Sequence, residues 1–502
     1  MMRKTFCLFL AIALLFSFAA CADGGKNLGS VSDTSAGTNP AGTQPDADGN
    51  EKTYFEQAWD AQGKQTFDGM SFKILSPDPG AHFYNFSGPE ENEVYYETSS
   101  AEALSNSIYM RNLKTEENLG IKIEPVWGGD PGNISTTVKN NSAAGDRESF
   151  NVVLTRTDNE ITMAANGLFL NFFDIDTIEL TNPWWDEQIT STFTLYGDQL
   201  FVLSGDINYY DDYAVLITLF NKKLCAEAGL EYPYQSVREG KWTLDLMSSM
   251  AEAVSRDLYG DGVKTVGTDV MGVAENMYCL EHFIYSFDLS MSTKNEEGVP
   301  EVVWVNDLNT NAIEKMRKIF TADYSVISYE GTAYFLEGNL LILFDMLGVL
   351  PNYRNMEADF GILPQPKNDE NMSRYKAYVS NGWSTSYTIP STFMPSEAAV
   401  FGTILECMSA ASKDYVTPAL YEQLLQAKYV RDQESTEMLD YILDSKVYDL
   451  AGDLDWAGNL RGVYDEALNA DVFASKMASV TKLINKSLDK FCSSFLELKN
   501  GG

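Results

Sequence analysis

Two short stretches of the chain combine carboxylate, amide and aromatic side chains within a few residues. Residues 206–212 read DINYYDD, and residues 380–384 read SNGWS. Carboxylates and amides form hydrogen bonds with hydroxyl groups, whereas tyrosine and tryptophan rings pack against C–H faces. A pocket that offers both kinds of side chain suits a polyhydroxylated ligand. The candidate ligand-binding residues from these stretches are Asp206, Tyr209, Tyr210 and Trp383.

Four further candidates follow predicted strands or lie in the last part of the chain. Arg156 and Asp158 come directly after an apolar strand predicted at 151–154, and Asp345 follows another at 340–344. Open α/β sheets bind ligands at the carboxyl ends of their strands, so these positions favour a binding role. Trp456 lies in the sequence DLDW near the end of the chain. For each candidate the alternative is a solvated loop acid or a core aromatic residue.

The elements that must position these side chains alternate between short apolar runs and longer segments of helical period. Strands are predicted at 71–75, 121–127 and 151–154, with a helix at 105–119 between the first two. Alternation of this kind predicts an α/β protein whose strands are joined by crossover helices. About 450 residues follow the N-terminal region, which is too many for one core and predicts two or more lobes.

Composition excludes several functions. The chain has 36 basic and 72 acidic residues, so its formal charge is −36, and an acidic surface of this kind argues against nucleic acid as a partner. It has two histidines, His82 and His282, for which core packing is favoured over catalysis. Residues 257–268 match an EF-hand loop only in part and favour a plain turn. No metal, cofactor or catalytic residue is predicted, and the chain is not expected to be an enzyme.

The N-terminus resembles the export signal of bacterial lipoproteins. Two basic residues precede an apolar run at 6–18, and Phe18-Ala19-Ala20 stands directly before Cys21. The run is too short to span a membrane, which indicates a signal peptide at 1–20. The resemblance implies that Cys21 is lipidated and that the chain is anchored to the outer face of the cytoplasmic membrane. Residues 21–66 are predicted to be a flexible linker, with folding beginning near Phe67.

The ordered series of motifs through the body resembles the extracellular solute-binding lipoproteins of bacterial ABC importers, in particular the sugar-binding, family 1 type. The motifs are NPWWD at 182–186, LSGDI at 203–207, LFNKKL at 219–224, GKWTLD at 240–245 and DFGILPQP at 359–366. No single piece is diagnostic, and the order carries the resemblance. Each piece also has a structural interpretation: Asn221 begins a helix, and Thr243 caps another.

The resemblance implies a two-lobed, periplasmic-binding-protein-like fold with a ligand cleft between the lobes. The first lobe is expected at 67–212 with 376–411, and the second at 213–375 with 412–502. The segments that cross between the lobes are expected near 206–213, 376–387 and 409–415. Their positions place the two mixed polar and aromatic stretches at the junction of the lobes.

The function that this resemblance implies is capture of an extracellular solute and its delivery to an ABC-type permease in the membrane. A carbohydrate is the expected solute, and the protein is expected to be a monomer that contacts the membrane through its lipid anchor only. Two alternatives stay open. One is a surface glycosidase or lyase, because carboxylates are plentiful, and the other is a surface lipoprotein that binds another protein.

Overall fold

The structure is a computed structural model that describes residues 51–81, 91–275, 280–328, 330–380, 382–426, 433–452, 454–469 and 471–501. The predicted signal peptide, Cys21 and residues 22–50 of the predicted linker lie outside these ranges, as does His82. Within them, no helix has both the length and the apolar character needed to cross a lipid bilayer.

Strands occur throughout the described body. In chain order they are β1 (Met70–Ser76), β2 (Ile121–Trp127), β3 (Val152–Arg156), β4 (Leu216–Asn221), β5 (Met271–Glu275), β6 (Ser292–Lys294), β7 (Pro300–Val302), β8 (Ser325–Ile327), β9 (Leu340–Met346), β10 (Phe360–Pro364), β11 (Ala377–Tyr378), β12 (Thr385–Thr388) and β13 (Lys446–Val447).

Helices separate most of these strands. They are α1 (Tyr54–Ala61), α2 (Ala103–Leu119), α3 (Pro131–Ala144), α4 (Thr157–Ala164), α5 (Glu187–Phe193), α6 (Tyr210–Tyr213), α7 (Lys222–Glu227), α8 (Tyr234–Arg238), α9 (Leu244–Val254), α10 (Asp307–Phe320), α11 (Gly331–Leu336), α12 (Pro395–Gln426), α13 (Gln433–Leu443), α14 (Asp455–Asn469) and α15 (Phe473–Gly501). Short 3-10 helices span Phe172–Asp174, Leu280–Phe287 and Leu347–Tyr353.

The first sheet has the strand order β12-β3-β1-β2. Strand β1 pairs in parallel with β2 and β3, and β12 runs antiparallel to β3. Helix α2 connects β1 to β2 and ends at Gly120, whose φ of 64° is the left-handed conformation that glycine adopts without a steric cost. The strands and the helix predicted for this region are confirmed.

The second sheet has the order β10-β4-β9-β5-β8. Every residue of β4, β5, β9 and β10 is buried, which explains why their sequences are apolar along their length rather than alternating. Strand β9 contains the predicted strand at 340–344. Strand β10 ends at Pro364, as the prolines in its sequence predict. Asn221 and Thr243 cap α7 and α9 as predicted.

Two antiparallel segments connect the sheets. Leu203 pairs with Tyr387 on the side of the first sheet, and Val215 pairs with Val379 beside the second. We call residues 204–214 the first connecting segment and residues 380–384 the second. The first segment includes the crossing expected at 206–213, and the second lies within the crossing expected at 376–387. The third expected crossing, 409–415, lies inside the long helix α12.

The lobe boundaries expected from the sequence stay a prediction. The last helix, α15, contacts residues from both expected ranges. Its Phe495 ring lies 5.5 Å from the ring of Phe201, and the helix also packs against α10 and β7.

The ordered body begins earlier than predicted, so the expectation that folding starts near Phe67 is wrong. Helix α1 precedes that residue, and its Thr53 and Glu56 form a capping box. The Asp414 carboxylate of α12 accepts hydrogen bonds from the Tyr54 and Phe55 amides at 3.0 and 2.9 Å. The Phe55 side chain is fully buried. Contacts with α12 therefore stabilise a helix too short to be stable alone.

Replacing Phe55 with Ala tests whether α1 belongs to the folded body. Deletion of a fully buried aromatic ring is expected to lower the free energy of unfolding by about 3–5 kcal/mol. Urea unfolding followed by circular dichroism measures the change. The control is Lys64→Ala just beyond the same helix, where the side chain is 61% exposed and the expected change is about 0.5 kcal/mol or less. Equal effects of the two substitutions would contradict the docking of α1.

Candidate functional site

Three predicted site residues lie together at one edge of the first sheet. Strand β3 ends at Arg156, and its antiparallel neighbour β12 begins at Thr385, which is paired with Arg156. The Thr157 amide donates to the Ser384 carbonyl at 3.1 Å, so Trp383 stands beside the end of β3. We call this region, with Asp78 after β1, the first-sheet edge. It groups Arg156 and Asp158, at the carboxyl end of β3, with Trp383, which precedes the amino end of the antiparallel strand β12.

Arg156 and Asp158 form a bidentate ion pair at this edge. The guanidinium Nε and Nη2 atoms donate to the two carboxylate oxygens of Asp158 at 3.1 and 2.6 Å. The Arg156 side chain is 37% exposed and that of Asp158 is 13% exposed. A planar, bidentate pair orients both groups while leaving other guanidinium hydrogens free to donate to a ligand oxygen. The pair therefore presents a donor and an acceptor side by side.

Tyr209 and Tyr210 are buried rather than exposed to solvent. Their ring centroids lie 4.7 Å apart, and the Tyr209 ring lies 5.2 Å from that of Tyr213. Tyr210 also lines a small cavity at the end of β1, together with Asp78, Glu91 and Thr385. In this structure the tyrosines pack at the junction of the sheets, beside the first-sheet edge.

A second cavity, of about 190 Å³, lies along the first connecting segment. We call it the junction cavity. Trp184 and Trp185 line one part of this cavity. The rest is lined by acidic residues of the first connecting segment, by residues of α12 and by Lys446 of β13. The carboxylates and the ammonium group at this cavity are those of Asp186, Asp206, Asp211, Asp212 and Lys446.

Lys446 holds the acidic residues of the junction cavity together. Its Nζ atom lies 2.8 Å from a carboxylate oxygen of Asp211 and 2.8 Å from one of Asp212, and 3.9 Å from Asp186 Oδ2. The Tyr448 hydroxyl donates to Asp211 at 2.9 Å. Because the side chain of Lys446 is only 16% exposed, these ion pairs are weakly screened by water.

The predicted site residue Asp206 belongs to the same cavity and bonds to α12. Lys413 Nζ donates to its Oδ2 at 2.9 Å, and the Thr417 hydroxyl donates to its Oδ1 at 2.6 Å. Burial raises the pKa of Asp206, and the nearby Lys413 works against this rise. Burial also raises the pKa of Asp212 to about 6, against the effect of Lys446. These partners tie the first connecting segment to α12 and β13.

The tryptophans at 184 and 185 are held by a carboxylate that the sequence analysis missed. Both indole Nε1 atoms donate to Glu406 of α12, each at 2.8 Å. Asn182 Nδ2 and the Glu179 amide also donate to this carboxylate, at 2.9 and 2.7 Å. Glu406 stands in the otherwise apolar run Ile404–Met408, and that isolated acid was a usable signal. The NPWW motif is therefore a packing corner that also lines the junction cavity.

The remaining predicted residues are not brought to the first-sheet edge. Asp345 lies in the second sheet, opposite Ile217, and accepts a hydrogen bond from the Tyr353 hydroxyl at 2.6 Å. Burial raises the pKa of Asp345 to about 6, and the bond from Tyr353 opposes the rise. Trp456 lies in α14, and its side chain is outside the described residues. His282 is buried, with its ring 4.8 Å from that of Tyr378.

Substitution of Lys446 by Met tests the electrostatic role of this lysine. The change leaves Asp211 and Asp212 buried without their cation, so we expect the free energy of unfolding at pH 8 to fall by about 3 kcal/mol or more. At pH 5 the loss should be smaller, because Asp212, whose pKa is raised by burial, then binds a proton more readily. Chemical denaturation at pH 5 and pH 8 measures the free energy of unfolding of the variant and of the wild type. Lys241→Met removes an exposed pair with Glu239 and should cost about 1 kcal/mol or less. An equal loss at pH 5 and pH 8 would argue against the ion-pair network.

No protein-family model matches the chain, and no curated protein matches it. Solved structures do match. A cyclo/maltodextrin-binding protein complexed with maltotetraose shares 11% identity at a TM-score of 0.56, over 84% of this chain and 98% of that one. An ABC substrate-binding protein from Listeria monocytogenes in complex with cycloalternan shares 12% identity at a TM-score of 0.52, over 84% and 100%.

A third match has a ligand of a different kind. UgpB from Mycobacterium tuberculosis in complex with glycerophosphocholine shares 13% identity at a TM-score of 0.54, over 84% of this chain and 98% of that one. These matches cover nearly the whole length of each solved chain. They confirm the fold class predicted from the sequence. The chain therefore has the two-lobed α/β fold of the periplasmic substrate-binding proteins.

Proposed function

We propose that this chain is a substrate-binding protein that captures a carbohydrate outside the cell and delivers it to an ABC-type permease. The observation that carries the proposal is the two-lobed fold, which it shares with proteins solved in complex with maltotetraose and cycloalternan. The ligand would lie between the lobes, with the first-sheet edge as one wall. Arg156, Asp158 and Trp383 would then contact it, and an opposite wall would come from the second lobe.

The charge of the first-sheet edge favours a neutral solute. Among the described residues, Asp78, Glu91, Glu93 and Asp158 provide carboxylates there, and Arg156 provides a guanidinium. An anionic ligand would be repelled, whereas sugar hydroxyls donate to carboxylates and accept from the guanidinium. Trp383, which is partly buried, supplies a ring for the C–H face of a sugar. This combination supports an oligosaccharide over a phosphorylated solute.

Capture would occur by closure of the lobes. A ligand that contacts both walls binds the closed form more tightly than the open one and so shifts the population toward closure. The closed form would dock on the permease, and a separate ATPase would supply the energy for transport. In this scheme the chain changes shape and performs no covalent chemistry. It would act as a monomer.

A thermal-shift screen of the mature chain, with Cys21 replaced by Ser to keep it soluble, tests the proposal. Maltotriose, maltotetraose and a cyclic glucan are the probes, and glycerophosphocholine, spermidine and a tripeptide are the controls. At a hundredfold excess over Kd a true ligand adds about 2.7 kcal/mol to the stability. Chromatography of the sugar after incubation should show no turnover. Hydrolysis of the sugar, or a shift with a control only, would overturn the proposal.

Trp383→Ala is expected to weaken sugar binding at least fivefold, because stacking on an aromatic ring contributes about 1–3 kcal/mol in the comparable case of a nucleobase. Isothermal titration calorimetry measures the change. The matched control is Trp59→Ala on α1, a partly buried tryptophan away from the first-sheet edge, which should leave Kd unchanged. Wild-type affinity in the Trp383 variant would remove this residue from the proposed site.

Lipid anchoring through Cys21 is also part of the proposal. With Cys21 intact, the chain expressed with its signal segment should sediment with membranes and dissolve only in detergent. Replacement of Cys21 by Ser should move it to the soluble exported fraction. Fractionation and mass spectrometry of the N-terminal peptide measure the outcome. An unmodified cysteine in the wild-type chain would contradict the anchor and leave the ligand site unaffected.

A further inference from the structure

Glu93 is a buried carboxylate that touches both places where the chain passes between the sheets. Its Oε1 atom accepts hydrogen bonds from the Tyr209 and Tyr210 amides at 2.6 and 3.1 Å, in the first connecting segment. Its Oε2 atom accepts from the Thr385 hydroxyl at 2.6 Å, where the second connecting segment joins β12. The residue is 2% exposed. Neither composition nor periodicity marks this residue in the sequence.

The main chain around Glu93 is fixed to the first lobe. Arg111 of α2 donates from Nη2 to the Glu93 and Val94 carbonyls at 2.9 and 3.0 Å. Asn112 donates to the Val94 carbonyl at 2.8 Å. Arg111 is fully buried, so these bonds are made away from water. The Glu93 carboxylate therefore projects from a rigid support toward the junction.

Thr385 completes a chain of hydrogen bonds between the first connecting segment and the start of β12. Its hydroxyl accepts from Asn208 Nδ2 at 2.9 Å and donates to Glu93. Movement of the first connecting segment relative to β12 would strain or break these bonds. We propose that Glu93 is a positioning residue of the hinge, whose ionised carboxylate couples the first connecting segment to the start of β12, where the second connecting segment ends, and so restricts the orientation of the second lobe. Its effect on ligand affinity rests on the proposed function, but the coupling itself does not.

The coupling depends on the protonation state, because all three partners of Glu93 are donors. The ionised carboxylate accepts from all of them. A protonated carboxyl must donate one hydrogen, and only the Thr385 hydroxyl can turn to receive it, since backbone amides have no lone pair to offer. Protonation thus reverses one bond and weakens the others.

Burial raises the pKa of Glu93 to about 7, with Asp211 adding to the rise and the three donors opposing it. The buried Arg111 faces it from α2 and Tyr387 from β12, while Asp78 and Glu91 line the adjoining small cavity. The carboxylate is therefore mostly ionised at pH 8 and mostly protonated at pH 6. We expect the coupling to be tighter at pH 8 than at pH 6.

Single-molecule fluorescence transfer on the sugar-free, mature Cys21→Ser chain tests the coupling without any ligand. Dyes are attached at Lys122→Cys in β2 and Tyr259→Cys beyond α9, both exposed positions. Cys279 and Cys492 are replaced by Ser, and Cys225 and Cys407 are buried. We expect the wild-type distance distribution to narrow as the pH rises from 6 to 8, with a midpoint near 7. The distance distribution of the Glu93→Gln variant should stay broad at every pH between 6 and 8.

Two further comparisons separate coupling from a general loss of structure. Glu160→Gln alters another fully buried glutamate, which bonds to β3 and β12 but not to the first connecting segment, and it should keep the wild-type response. Thr385→Val removes the hydroxyl that donates to Glu93, so its distance distribution should stay broad like that of Glu93→Gln. Thr385→Ser retains a hydroxyl, so its distribution should narrow with rising pH as in the wild type. A wild-type distribution that ignores pH, or an unchanged response in Glu93→Gln, would overturn the proposal.

Affinity supplies the second readout. With maltotriose as the probe, Kd of the wild type should be several-fold lower at pH 8 than at pH 6, and Kd of Glu93→Gln should be the same at both. If maltotriose fails to bind while the fluorescence response is present, the hinge role of Glu93 stands and the proposed function is weakened. If maltotriose binds with equal pH dependence in both proteins, the hinge proposal fails and the proposed function stands.

Discussion

The antiparallel pairing of the two connecting segments is the constraint on which the rest of the molecule depends. Leu203 and Tyr387 exchange backbone hydrogen bonds at 3.0 and 2.8 Å beside the first sheet, and Val215 pairs with Val379 beside the second. Between these two points the chain makes a short helix, α6, and leaves little regular structure. Two sheets joined in this way can change their relative orientation by small backbone rotations in the connecting segments. The hydrogen bonds between strands within each sheet stay intact during such a change.

Charged side chains are concentrated at the segments where such a rotation would occur. The junction cavity contains four carboxylates, with Lys446 and Lys413 as their cations, and each ion pair joins elements that are distant in the chain. Buried ion pairs contribute little net stability but strongly disfavour arrangements that separate them. The network therefore selects particular orientations of the connecting segments. Glu406 acts differently, because its four neutral donors fix the NPWW corner to α12 without any cation.

Much of the fold could be predicted from the sequence because its signals are local. The apolar run at 340–344, the prolines after Ile362 and the caps at Asn221 and Thr243 all act within a few residues. The two-residue strands β11 and β13 could not be predicted, since their pairing joins residues about seventy positions apart and adds no periodic pattern. Helix α1 was missed for a similar reason: its stabilising partner, Asp414, lies 360 residues away along the chain.

The site was predictable only in part. Arg156 and Asp158 were named because they follow an apolar strand, and Trp383 because its stretch mixes polar and aromatic side chains. The sheet order brings these three candidates together. Glu93 and Lys446 were missed because the importance of each arises from partners more than 100 residues distant. Asp206 was named because a carboxylate can bind sugar hydroxyls, but in the structure it accepts hydrogen bonds from Lys413 and Thr417. Residue type predicts what a side chain can bind, and only the fold decides which partner it meets.

The docking of α1 has a mechanical consequence. The helix is fixed to α12 through Asp414, and Gln62 at its end bonds to the Thr177 carbonyl and the Thr403 hydroxyl of the first lobe. Any force applied ahead of Glu51 is thus delivered to α12 at Asp414, next to Lys413, whose Nζ atom donates to Asp206 of the first connecting segment. A pull on the N-terminal segment would therefore load the helix that also holds this connecting segment, so tension on the chain and the orientation of the segment would be linked.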